Sequence, residues 1–231
     1  MNDLNILSGG AAHGLVARLA PAFKTSTGFE IKGEFGAVGG MADKLRQGAP
    51  TDIIILTSAL VAKLAEENLV IPSSIADVGL VETALAVRSG DPKVSAQNAD
   101  ELRAAFLAAD AIFVPDTKAS TAGIHVAKVL AQLGIADEVA PRLEIHPNGA
   151  TAMRELAASD AKRPIGCTQS TEIISTEGVV LSGSLPRGSE LATMYTAGIT
   201  TRAAHAEQAQ ALIALLTGAD ARDARARAGF L

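Results

Sequence analysis

The feature that most constrains this chain is a regular exchange between two hydrophobic periods over its first 56 residues. Leu4-Asn5-Ile6-Leu7-Ser8 has the character of a short strand, and beyond Gly9 and Gly10 the residues Leu15, Val16, Leu19, Ala22 and Phe23 recur at helical spacing until Gly28 closes the pattern. A second strand pattern over 29–35 leads through Gly36-Ala37-Val38-Gly39-Gly40 into a helix pattern over 41–47. The run Asp52-Ile53-Ile54-Ile55-Leu56 then reads as a buried strand. This βαβαβ order predicts an α/β fold with a mainly parallel sheet flanked by helices, and ligand-binding loops at the carboxyl ends of its strands.

The segment 80–90, LVETALAVRSG, is long and apolar, and is expected to cross from one lobe into another. A second βα series follows: helix 98–108, strand 111–114, a turn at Pro115-Asp116-Thr117-Lys118, and a helix from Ser120 to Leu133. Beyond it come strand 142–146, helix 150–158, strand 165–168 and the short strand Val179-Val180-Leu181. The stretch 191–201 reads as a returning strand, and Ala-rich helices near 203–216 and 219–228 end the sequence. The expected organisation is one lobe of residues 1–83 with 192–231 and a second of residues 84–191. Two hinge strands joining them would let the lobes close on a ligand in the cleft.

Composition narrows the function classes. With 48% hydrophobic and 19% charged residues, the chain reads as an ordinary soluble globular protein. A net charge of -5 lacks the excess of Lys and Arg that nucleic acid requires, so an anion must be bound by local groups. No apolar run approaches the roughly 20 residues of a membrane span. The start Met1-Asn2-Asp3-Leu4 runs straight into the first strand, which reads as a cytoplasmic location. A periplasmic one applies if a signal peptide has been removed. The single Cys167 excludes an internal disulfide and reads as a small core residue beside a strand.

Three strand-to-helix junctions share one chemistry: Ser8-Gly9-Gly10-Ala11, Gly36-Ala37-Val38-Gly39-Gly40, and Ala119-Ser120-Thr121-Ala122-Gly123. Each puts small residues at a helix start, where free N–H groups and the helix dipole favour an anion. One such loop serves packing as readily as binding; three, spread over both halves, point to a small anionic ligand. Neither a phosphate-cradling GxxxxGK[ST] nor a GxGxxG after the first strand is present, so no nucleotide cofactor is expected. His13, His125, His146 and His205 lie too far apart in sequence for a metal site, and none is expected. His13 falls in the first turn of its helix, where the dipole favours a neutral imidazole able to donate or accept a proton. Lys118 and Arg154 are the candidate fixed cations, each with a solvated surface role as the plain alternative.

Phe35-Gly36-Ala37-Val38-Gly39-Gly40, Gln47-Gly48-Ala49-Pro50-Thr51-Asp52 and Thr168-Gln169-Ser170-Thr171-Glu172-Ile173, taken in order, resemble motifs of the periplasmic molybdate-binding proteins and their relatives of the type II solute-binding fold. Phe35-Gly36-Ala37-Val38-Gly39-Gly40 resembles that family's FGASG loop, and Gln47-Gly48-Ala49-Pro50-Thr51-Asp52 resembles its QGAPAD strand entry. Thr168-Gln169-Ser170-Thr171-Glu172-Ile173, Leu185-Pro186, Tyr195-Thr196-Ala197-Gly198-Ile199 and Ala228-Gly229-Phe230 resemble its later motifs. The resemblance implies a two-lobed type II periplasmic-binding-protein fold. It implies ligand contacts at Ser8, Gly9, Gly10, Ala11, Ala37, Val38, Gly39, Thr57, Ser120, Thr121, Ala122, Gly149, Gln169 and Tyr195. Where that family places three hydroxyls against molybdate, this sequence has Ala11, Val38 and Gln169. A lost charged hydrogen bond costs roughly 1.5–3 kcal/mol, so the expected ligand is a small di- or tricarboxylate rather than molybdate.

Two functions follow from this resemblance. One is a binding protein, with an ABC-transporter partner only if the chain is secreted. The other resembles the aconitate isomerase branch: an isomerase that removes a proton beside a carboxylate and returns one at the allylic position. His13 is then the candidate base, with Lys118, Glu172 or Tyr195 for proton return. The cytoplasmic start favours this second function.

Overall fold

The computed structural model describes residues 2–231. In chain order these form β1 (Asp3–Gly9), α1 (His13–Thr27), β2 (Glu30–Gly36), α2 (Val38–Arg46), β3 (Ile53–Thr57), α3 (Ser58–Glu66) and β4 (Ala76–Arg88). Next come α4 (Ala99–Ala108), β5 (Ala111–Pro115), α5 (Thr121–Gln132), α6 (Ala136–Val139), β6 (Leu143–His146), α7 (Gly149–Ala158), β7 (Pro164–Gln169) and α8 (Ser170–Ile174). The last elements are β8 (Val179–Ser184), β9 (Ala192–Ile199), α9 (Ala206–Thr217) and α10 (Arg222–Arg227). The chain divides into two compact units, one running up to Val81 and resuming at Thr193–Leu231, the other Glu82–Ala192.

In the first unit the strand order is β2-β1-β3-β9, with β1 parallel to β2 and β3, and β9 antiparallel to β3. Alternation along β3 explains why both faces are covered. Ile53 and Ile55 pack with Leu15, Val16 and Phe23 of α1 and Leu212, Ile213 and Leu216 of α9. Ile54 and Leu56 pack with Met41 and Leu45 of α2 and Val61 and Leu64 of α3. The buried Asp52 accepts hydrogen bonds from the backbone N–H of Asn5 at 2.8 Å and of His205 at 2.9 Å. That carboxylate ties β1 to the start of α9.

In the second unit β7 lies between β4 and β5, β6 pairs with β5, and β8 pairs with β4. The β5 pairs are parallel and the β4 pairs antiparallel. Every residue of β5 is buried, which is why its sequence is apolar without alternation. Leu85, Val87, Ile112, Val114 and Cys167 face α4, α5 and α6, while Ala84, Ala86 and Phe113 face Met153 and Leu156 of α7 and Ile173 of α8. Cys167 is fully buried within β7, and burial pushes its thiol up to about 12, the core role its sequence context suggested.

Several elements differ from the sequence expectation, among them the short helices α6 and α8, for which it has no counterpart. The helix expected from residue 41 begins at Val38, so Gly39 and Gly40 form its first turn. Helix α3, Ser58–Glu66, has no counterpart in the sequence reading; it starts directly at the end of β3. Strand β4 begins at Ala76, ahead of the expected 80. The backbone of Leu80 exchanges hydrogen bonds with Leu231, and Thr196 Oγ1 donates to Asp77 Oδ1 at 2.8 Å, so distant residues extend the strand. Among the described residues no helix is long and apolar enough to cross a membrane.

Candidate functional site

The register of the first unit brings three strand-to-helix junctions side by side. Gly9 stands opposite Gly36, Ser8 is flanked by Phe35 and Ile55, and Thr57 stands opposite Tyr195. A single 3-10 turn, Gly10–Ala12, leads from β1 into α1, while α2 follows Ala37 and α3 follows Thr57. The residues that open these turns, Gly9, Ala37 and Thr57, are extended, and none uses its side chain to cap the helix behind it. By contrast Asn98 caps α4 and Asn148 caps α7, each side chain accepting from a backbone N–H three residues on. No cap side chain engages the first-turn N–H groups at the three junctions, the groups a helix start offers to an anion.

The floor of this set is apolar. A methyl group on Gly9 would stand 2.8 Å from both Tyr195 Cε1 and Val38 Cγ1, so the ring and the isopropyl group close directly on the Gly9 backbone. Ser8 is fully buried and its hydroxyl donates to the Gly9 carbonyl at 2.9 Å. Gly10, Ala37, Val38, Gly39 and Thr57 are half-buried. Ala11 belongs to the core, and His13 is exposed, edge-on to Phe35 at 4.7 Å between ring centroids.

In the second unit Ser120 and Thr121 are half-buried at the start of α5, again without a side-chain cap. The Asp116 carboxylate shapes the approach, accepting from the N–H of Lys118 at 2.7 Å and of Ala119 at 3.0 Å, while its carbonyl accepts from Ser120. Lys118 is exposed and Ala122 is buried beneath the helix start. Gln169 ends β7 opposite Thr83 and is buried. Arg154 is exposed and donates to Thr151 Oγ1 at 2.9 Å.

Gly149 opens α7 against a second carboxylate. Glu172 is buried, and its Oε2 accepts from Thr168 Oγ1 at 2.7 Å, with the backbone N–H groups of Gln169, Ala150 and Gly149 also turned to it. Burial pushes its carboxyl above the ordinary glutamate range, and these hydrogen bonds pull partly the other way. Nearby in chain order, the His146 ring stacks on Phe113 with centroids 5.8 Å apart, and its Nε2 is buried without a hydrogen-bond partner among the described residues.

The residues singled out in the sequence thus fall into two sets by unit. Gly9, Val38, Thr57 and Tyr195 meet; Ala11 and Ala122 lie in cores; His13 and Lys118 are exposed. Glu172 was legible only as an acid inside a motif. Its signal is the run Thr168-Gln169-Ser170-Thr171 just before it, rich in donors for a buried carboxylate. No group of three His, Cys, Asp or Glu side chains suited to a metal occurs among the described residues.

The fold is that of the periplasmic binding proteins. The structure superposes on the Azotobacter vinelandii periplasmic molybdate-binding protein with a TM-score of 0.83 at 19% identity, covering 99% of this chain and 98% of that one. It superposes on the sulfate-binding protein SubI from Mycobacterium tuberculosis H37Rv with a TM-score of 0.76 at 17% identity, covering 100% and 86%. In sequence it is 26% identical to an aconitate isomerase from a Pseudomonas species over 238 residues, 97% of this chain and 86% of that protein. The chain belongs to the bacterial extracellular solute-binding protein family, whose model matches residues 4–231.

Proposed function

We propose that the chain binds a small organic di- or tricarboxylate. The observation that carries this reading is the meeting of Gly9, Val38, Thr57 and Tyr195 at three uncapped helix starts. N–H donors and helix dipoles there suit carboxylate oxygens. The Tyr195 ring edge and the Val38 isopropyl group suit a carbon skeleton, which a bare tetrahedral oxyanion lacks. Within the second unit, Ser120 and Thr121 lie at a helix start of the same uncapped kind. In a secreted setting such a receptor would deliver its ligand to an ABC transporter.

A second reading is supported by the 26% identity to an aconitate isomerase along 97% of the chain. Here the ligand is a substrate. A base takes a proton from the carbon beside a carboxylate, the double bond shifts as negative charge spreads onto that carboxylate, and a proton returns at the allylic carbon. His13, exposed in the first turn of α1, is the candidate base; Lys118, Glu172 and Tyr195 are candidates for proton return. Incubation with cis- and trans-aconitate, followed by chromatography, separates the readings. The isomerase reading expects interconversion that falls at least ~100-fold in His13→Ala, the scale of general-base catalysis. Binding without turnover leaves the receptor function; turnover unchanged in His13→Ala removes the base assignment.

A further inference from the structure

The second unit contains a cavity at the opposite end of its strands from the starts of α5 and α7. It lies where β5 and β7 begin, at Ala109 and Pro164, beneath the last turn of α4. Its volume is about 230 Å³, which at roughly 30 Å³ per water-sized unit of liquid accommodates about eight non-hydrogen atoms. Val87, Val94, Ala108 and Ile165 make its wall apolar.

Charge at the rim is unbalanced. Lys93, Lys162 and Arg163 border the cavity, with Asp91 as the acid among its lining residues. Asp91 is engaged by Arg88 at 2.8 Å and Arg163 is engaged by Asp110 at 3.2 Å. Lys93 and Lys162 form no ion pair among the described residues and stand exposed at the mouth. An apolar wall holding a few atoms, beneath two uncompensated ammonium groups, matches an anion with a carbon tail. A neutral apolar molecule would leave the ammonium groups unused, and a polyanion such as citrate would set its charges against Val87 and Ile165.

We propose that this cavity is a second ligand site, for a small monocarboxylate of about eight non-hydrogen atoms in all, most of them in an apolar tail. The carboxylate lies between Lys93 and Lys162, and the tail lies along Val87, Val94 and Ile165.

Titration of hexanoate into ¹⁵N-labelled protein tests this, with 1-hexanol and citrate as comparison probes. Hexanoate is expected to shift the amides of Val94, Ala108 and Ile165 saturably, with Kd near or below about 1 mM for a ligand of this size. 1-Hexanol is expected to bind at least tenfold more weakly at the same amides, and citrate to leave them unmoved. The double variant Lys93→Gln/Lys162→Gln is expected to weaken hexanoate at least tenfold without altering 1-hexanol. Ala108→Leu, on the exposed last turn of α4, fills the cavity and is expected to abolish both responses with circular dichroism unchanged. Absence of saturable shifts overturns the proposal, as does equal affinity for hexanoate and 1-hexanol, or hexanoate binding that survives the lysine replacements.

Discussion

Replacing Gly123 by alanine is expected to cost about 3 kcal/mol of stability, because the added methyl has nowhere to go. On the existing backbone it would stand 2.2 Å from the Asp116 carbonyl oxygen and 2.4 Å from that of Pro115. Both are main-chain atoms at the end of β5, where Asp116 also accepts from Ser120 N–H, so neither moves without displacing the loop. The first turn of α5 would have to lift away from β5, taking the donors at Ser120 and Thr121 with it. Gly40→Ala is the matched control, in the first turn of α2 with nothing within 4 Å of the new methyl. It is expected to stay within ~1 kcal/mol of the parent or exceed it. Urea unfolding followed by circular dichroism measures both. A Gly123→Ala variant as stable as the parent would contradict the close approach of α5 to β5.

Glu172→Gln is expected to change how stability depends on pH. Burial raises the folded-state carboxyl above its ordinary value of 4.5, so the folded chain binds that proton more tightly than the unfolded chain does. The stability this supplies is fully present below 4.5 and is lost as the pH rises through the folded value. Above that range the parent carries a buried negative charge, held by Thr168 Oγ1 and the backbone N–H groups of Gln169, Ala150 and Gly149. The glutamine variant has no such proton. The difference in unfolding free energy, parent minus variant, should therefore fall with rising pH across this window at up to ~1.4 kcal/mol per pH unit. Glu172→Ala is expected to be worse at any pH, by about 3 kcal/mol, because the Thr168 hydroxyl and the Gln169 N–H lose their buried acceptor. Parallel stability curves for parent and Glu172→Gln would contradict the assignment.

Much of the architecture was legible from local chemistry. The βαβαβ opening followed from apolar periodicity and from glycines at the strand ends, and the returning strand at β9 from its own apolar run. What escaped depends on long-range pairing. The first residues of β4, Ala-Asp-Val-Gly-Leu, have a weak strand pattern, and contacts with Leu231 and Thr196 extend the strand. Helix α3 was hidden because Ser58-Ala59-Leu60 continues the apolar run of β3 without a turn residue between them. Small residues marked the junctions where strands pass into helices, yet size alone does not say which way a residue faces. Ala11 and Ala122 are small because they pack beneath helix starts, whereas Gly9 is small because Tyr195 and Val38 close on it. Neither pairing across the sheet nor burial of an acid such as Glu172 is written in any local window.

The function proposed for the helix starts at Gly9, Ala37 and Thr57 is recognition of an organic carboxylate rather than a tetrahedral oxyanion. Isothermal titration of the intact protein with cis-aconitate, trans-aconitate, citrate and molybdate tests it most directly. Saturable binding of at least one tricarboxylate is expected, with molybdate at least ~100-fold weaker, the factor produced by about two lost charged hydrogen bonds. Submicromolar molybdate affinity with no response to the carboxylates would contradict it.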